Sequence, residues 1–106
     1  YREFLYSDDL ADAVVFLMEN KDWKDIGDFV NIGTGIDLTV KQLAETIRDV
    51  VYANSSMRTC LIEWDTTKPN GTPKKLLDVT KLLSFGWRPM VDFILGLKTT
   101  YKAFLY

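Results

Sequence analysis

The feature that most constrains how this chain can fold is a hydrophobic period that switches along its length. Leu10, Ala13, Val14, Leu17 and Met18 recur at helical spacing. So do Val40, Leu43, Ala44, Ile47 and Val51, and again Ile94, Leu97, Tyr101, Phe104 and Leu105. Between these stripes lie short apolar runs at 2–6, 28–32 and 59–64, which the pattern predicts as strands. Ser7-Asp8-Asp9 supplies a cap and early acids for the first helix, which is expected to end near Glu19-Asn20, followed by a polar loop holding Trp23. Thr39 and Gln42 form a capping-box pattern for the second helix, and Asn54-Ser55-Ser56 breaks it. Asp78 is placed to cap a short helix ending at Gly86, and a last helix is expected over about 91–105. The order β-α-β-α-β-α-α, with short strands and about four helices, predicts an α/β fold occupying 1–106 as one region.

With 47% hydrophobic residues in 106, the chain has the apolar mass of a folded domain and not of a disordered one. The longest unbroken apolar run, Ala13 to Met18, is far too short to cross a membrane. Histidine is absent, which excludes His-based general bases, Ser-His or Cys-His nucleophile pairs and His-ligated metals within this chain. Cys60 is the only cysteine, so there is neither an internal disulfide nor a Cys-x-x-Cys site. A lone thiol suits a reducing, cytoplasmic setting. There the sequons at Asn54 and Asn70 are chance matches.

Charge is divided unevenly. Residues 1–66 carry 13 acids and 6 bases, a net −7, whereas 67–106 carry 2 acids and 7 bases, a net +5. Such a chain is a poor nucleic-acid ligand, but its basic part can attract one compact anion such as a diphosphate.

Several segments admit both a chemical and a structural role. Gly33-Thr34-Gly35 has the setting of a dinucleotide loop, but Leu38 stands where a third glycine belongs, and a tight turn explains the glycines as well. Arg2 offers a guanidinium fork for phosphate or ribose, or else a surface ion pair with Glu3. The stretch from Lys68 to Lys75 is stiffened by Pro69 and Pro73 and turned by Asn70-Gly71, and its lysines 68, 74 and 75 could converge on one anion or merely face water. Asp8 and Asp9 could be an acid–base pair, but adjacent residues at a helix start diverge, and capping is the better account. Trp64 and Trp87 flank the basic segment and could stack on a base or fill the core, which is the default.

Beyond these local readings, the chain resembles a known family. Arg2-Glu3-Phe4-Leu5-Tyr6-Ser7-Asp8-Asp9-Leu10-Ala11 resembles a signature of the GDP-L-fucose synthases, and Val30-Asn31-Ile32-Gly33-Thr34-Gly35 resembles a second block of theirs. Lys68-Pro69-Asn70-Gly71-Thr72-Pro73-Lys74-Lys75-Leu76-Leu77-Asp78-Val79 is similar to their most discriminating block. Leu82 to Trp87, and Gly96-Leu97-Lys98 with Tyr101, resemble the family's two closing blocks. The blocks occur in order over nearly the whole chain.

The resemblance implies the C-terminal, substrate-binding portion of an extended short-chain dehydrogenase/reductase, with the Rossmann half absent. The whole enzyme would use NADPH to convert GDP-4-keto-6-deoxy-mannose to GDP-L-fucose. It implies that NADPH is bound outside this chain. The catalytic groups too would lie outside it, since no Tyr-x-x-x-Lys occurs here, so the chain alone would be inert. Arg2, Asn70 and Lys75 are the substrate-binding residues it implies, with Arg2 on the nucleotide-sugar and Lys75 near the diphosphate. Asn70 stands where the family carries Asp, and Lys74 where Arg is common. The implied partners are a GDP-sugar and the protein's own Rossmann domain. Without that domain, the apolar sides of the first helix and of 29–32 are expected to drive self-association or exchange of elements between copies. Another nucleotide-sugar epimerase or dehydratase, and a standalone non-catalytic module derived from one, are the alternative readings.

Overall fold

The computed structural model describes residues 1–53 and 60–106. Five helices and a two-stranded antiparallel sheet are found among them. β1 (Arg2–Glu3) is followed by α1 (Ser7–Asn20), α2 (Trp23–Ile26), β2 (Asp37–Leu38), α3 (Val40–Tyr52), α4 (Thr80–Ser84) and α5 (Phe93–Leu105).

Several helix ends follow local rules. α3 starts with the expected capping box: the Thr39 hydroxyl accepts from the Gln42 amide at 3.0 Å, and the Gln42 side chain accepts from the Thr39 amide at 2.9 Å. Asp78 is not the cap of α4, whose N-cap is Val79 with no side-chain cap bond; from one residue earlier its Oδ1 accepts from the Thr80 amide at 2.9 Å and from its hydroxyl at 2.6 Å. Gly86 then leaves the helix at φ 92°, which favours glycine. α5 starts two residues later than expected, where Asp92 accepts from the Leu95 amide. Sequence reading missed α2, a single turn capped by Asp22 and Asp25 where a plain loop was expected.

The strands depart further from expectation. Only Arg2–Glu3 of the 2–6 run is paired; Leu5 packs on the core, and Tyr6 leads into α1. Residues 28–32 do not form a strand: Val30 and Ile32 lean on the core, and among the described residues no strand pairs with their backbone. Residues 60–64 are likewise irregular, while Thr59 and the expected break at Asn54-Ser55-Ser56 lie outside the described residues. The real partner of β1 is Asp37–Leu38, a dipeptide too short to show a period of two.

The core is small. Ala13 and Leu17 of α1 meet Leu82 of α4 and Trp87, with Leu5, Phe16, Ile26, Val30, Ile32 and Phe85 around them. Trp87 also donates its indole N–H to Asp12 at 2.9 Å. Trp64, also expected in the core, is 51% exposed. The α1 stripe is divided: Ala13 and Leu17 are buried, but Leu10 and Val14 are exposed and Met18 is 78% exposed. α3 packs on α5, yet no residue of α3 is buried. The radius of gyration is 17.1 Å, against about 13 Å for a compact chain of this length. The excess and the half-covered α1 have one physical meaning: much apolar surface is presented outward instead of being folded inward.

Asp9 corrects a further expectation. It is not a cap for α1, whose start at Tyr6 has no side-chain cap. It is buried, at 3% exposure, and its two oxygens accept the amides of Met90 and Val91 at 3.1 and 3.0 Å. This holds the approach to α5 against the start of α1.

Candidate functional site

β1 is the middle of a three-segment platform. On one side it pairs antiparallel with β2, Arg2 opposite Leu38 and Glu3 opposite Asp37. On the other, Arg2 makes a parallel bridge with Lys75, and the Lys75 amide donates to the Tyr1 carbonyl at 3.2 Å. The segment from Pro73 to Leu77 therefore runs beside β1, although it forms no regular strand.

This arrangement brings Arg2 next to the basic segment. Its Nη1 donates to the Tyr1 carbonyl at 2.7 Å. Its Nη2 lies so close to Gly71 that a Cβ there would sit 3.2 Å from it. Gly71 thus has a packing reason as well as a turn reason, and it places Asn70 beside the guanidinium along the chain. Asn70 and Lys75 are both exposed. Of the three lysines, Lys74 is engaged within the chain. Lys74 forms an ion pair with Asp37 Oδ2 at 3.5 Å and lies over the Tyr1 ring. Oδ2 has no hydrogen-bond partner among the described residues, so this contact is electrostatic and not a hydrogen bond. Among the described residues, Lys68, Lys75 and Arg2 have no acidic side chain within ion-pair distance.

Upstream, Asp65 Oδ1 accepts from the Thr67 hydroxyl at 2.5 Å and the Thr67 amide at 2.9 Å, turning the chain into the basic segment. The hydroxyl first and the amide second hold its carboxyl below the usual carboxylate value.

Glu3 is not the ion-pair partner of Arg2. Its Oε2 accepts from the Gly35 amide at 2.6 Å and from the Thr34 hydroxyl at 3.3 Å, and Oε1 accepts from the Leu77 amide at 3.4 Å. Gly33 is buried against the same carboxylate, and a Cβ there would lie 2.8 Å from both oxygens. The Gly33-Thr34-Gly35 turn therefore does not fit a dinucleotide phosphate, because a fixed carboxylate already takes the Gly35 amide. Sequence reasoning singled out the turn but could not see its partner, which precedes Gly35 by 32 positions.

A cleft among the described residues lies elsewhere. It encloses about 700 Å³ between residues 28–31 and the side of α4, and none of Arg2, Asn70 or Lys75 lines it. Its cation, Lys81, is already spent on the carbonyls of Ile26 and Phe29, the latter at 3.0 Å. For an anion the basic platform is the better site, since Arg2 and Lys75 have no acidic partner among the described residues. Among the described residues there is no group of three or more Cys, Asp or Glu spaced to hold a metal ion, and no helix is long and apolar enough to cross a membrane.

No family model matches the chain. It is 46% identical over 98% of its length to a putative GDP-L-fucose synthase 2 from Arabidopsis thaliana, covering 29% of that protein. It is 40% identical, again over 98% of its length, to the GDP-L-fucose synthase of Escherichia coli strain K12, covering 33% of it. A GDP-mannoheptose C4 reductase from Campylobacter jejuni, solved with NADP bound, superposes over 99% of this chain and 32% of its own, with a TM-score of 0.82 and 32% identity. The fold is that of the extended short-chain dehydrogenase/reductases that act as GDP-sugar reductases. Within that group, the chain is similar over nearly its whole length to the C-terminal part of proteins named GDP-L-fucose synthase. It spans about a third or less of the length of the relatives it matches.

Proposed function

We propose that this chain is the GDP-sugar-binding part of a GDP-L-fucose synthase whose whole form converts GDP-4-keto-6-deoxy-mannose to GDP-L-fucose with NADPH in the cytoplasm. The observation that carries the reading is the pairing of Arg2 with Lys75. Backbone bridging sets the exposed Lys75 opposite Arg2, whose guanidinium has no acidic partner among the described residues. Two such groups suit a diphosphate: the fork binds two oxygens and the ammonium adds a point charge. Asn70, next to Gly71, is within the same corner and can both donate to and accept from ribose or base. Holding the diphosphate away from the reacting carbon positions the sugar for chemistry supplied by other residues. NADPH is bound by a Rossmann domain outside residues 1–106, and the exposed stripe Leu10, Val14 and Met18 on α1 packs against that domain.

Kinetics of the full-length protein test this. Lys75→Ala is expected to raise KM for the GDP-sugar by the equivalent of about 1.5–3 kcal/mol, the usual worth of a charge-assisted hydrogen bond. Unchanged kinetics would remove Lys75 from the site. Arg2→Lys keeps the charge and deletes the fork, so normal GDP-sugar binding by this variant would reduce Arg2 to a positive charge. The isolated chain, lacking a cover for α1, is expected to self-associate in sedimentation. A monodisperse monomer would show that α1 needs no partner.

A further inference from the structure

We infer that Glu3 is a positioning residue for the GDP-sugar site, tying the Gly33–Gly35 turn to the basic segment so that Arg2 and Lys75 keep a fixed spacing. This rests on the reading of Arg2 and Lys75 as the diphosphate-binding pair. Successive side chains of a strand point to opposite faces, so Arg2 and Glu3 leave β1 in opposite directions. On its own face the Glu3 carboxylate collects donors from two segments distant in sequence. Gly35 and Thr34 approach Oε2, and the Leu77 amide approaches Oε1, two residues beyond Lys75. The backbone bridge at Lys75 fixes one point of the basic segment against β1, and Glu3 adds a second at Leu77. Two points set the segment's direction, where one would leave a pivot. The same bonds occupy the carboxylate, which is thereby kept from neutralising Arg2. Gly33 fits this arrangement, since any side chain there would push against both oxygens.

The arrangement requires an acceptor at both oxygens. An amide in place of the carboxylate has one acceptor and one donor. Turned toward Gly35, it sets its N–H₂ against the Leu77 amide; turned the other way, it opposes the Gly35 amide. Glu3→Gln therefore breaks the tie with almost no change of shape.

The experiment measures, in the full-length protein, steady-state kinetics and amide hydrogen exchange for Glu3→Gln, Gly33→Ala, Arg2→Lys and Lys75→Ala. Glu3→Gln is expected to raise KM for the GDP-sugar about tenfold, the size of one lost charge-assisted bond, with kcat and KM for NADPH within about twofold of the parent. Exchange at Gly35 and Leu77 is expected to accelerate together. Gly33→Ala displaces the carboxylate without removing it, and is expected to reproduce the KM change if Glu3→Gln does not fold. Faster exchange with KM unchanged in both variants would make Glu3 a structural tie only and overturn the proposal, as would unchanged exchange. If Arg2→Lys and Lys75→Ala leave KM unchanged, the diphosphate reading itself has failed and Glu3 has nothing to position. If those two raise KM while Glu3→Gln and Gly33→Ala do not, only the inference about Glu3 has failed.

Discussion

The two halves of this molecule are held together by different forces. Around α1 and α4, apolar side chains are removed from water, and the polar groups among them, Asp9 and Asp12, are satisfied by Met90, Val91 and Trp87. Around β1, little apolar is buried beyond Val79, which packs on Gly35. There the backbone bridges Arg2–Leu38 and Arg2–Lys75 and the Glu3 carboxylate do the holding, and the basic side chains stay in solvent. Burial can be indifferent to direction, whereas a site for an anion needs directed groups that remain hydrated until the ligand arrives. The difference teaches that changes in the first region should be read in stability, and changes in the second in binding.

The largest expected effect lies in the core. Leu82 is fully buried, and Leu82→Ala should cost about 2–5 kcal/mol in urea unfolding, because a cavity is left as well as apolar area lost. Lys75→Ala should leave the same transition in place; a comparable loss there would abolish the contrast. Next comes Asp9→Ala, which strands the Met90 and Val91 amides and should cost about 1–3 kcal/mol by the same measurement, since a buried donor left unpaired loses its water without recompense. Were the cost nil, the polar half of the core would be ornamental.

The smallest effect is one of pH. The Thr80 hydroxyl, and after it the Thr80 amide, hold the Asp78 carboxyl below its usual value of 3.8. A depressed folded value stabilises the folded form above the ordinary value, and that contribution disappears as pH falls through the lowered one. Thermal melts of wild type and Asp78→Ala should therefore differ at neutral pH and converge below about pH 4. Melts that stay parallel down to strong acid would show that Asp78 acts on α4 by some means other than its charge.

Legibility from the sequence tracks the range of the interactions. The Thr39–Gln42 box, the Asp78–Thr80 bonds and the Gly86 stop are settled within a few residues, so α3 and α4 lie close to where the pattern puts them. Strand pairing is decided by distant partners, which is why 28–32 looks like a strand and Asp37–Leu38 does not. The same limit hides the site's organisation. Arg2, Asn70 and Lys75 came from motif resemblance, and the structure sets Arg2 beside the segment carrying the other two. Glu3 and Asp9 were visible as residues, but their partners, dozens of positions away, were not. Lys74 was grouped with its neighbours by charge alone, and only geometry assigns it to Asp37.

The Asp9 contact also bears on the order in which the chain acquires its form. Its partners lie 81 and 82 residues further along. As the polypeptide leaves the ribosome, α1 can coil early, but its first turn carries an unmatched carboxylate until Val91 has emerged. Closing so long a loop is slow compared with forming a helix. α1 is thus early to coil and late to be seated, and a nascent chain paused before Met90 would hold the helix without its anchor.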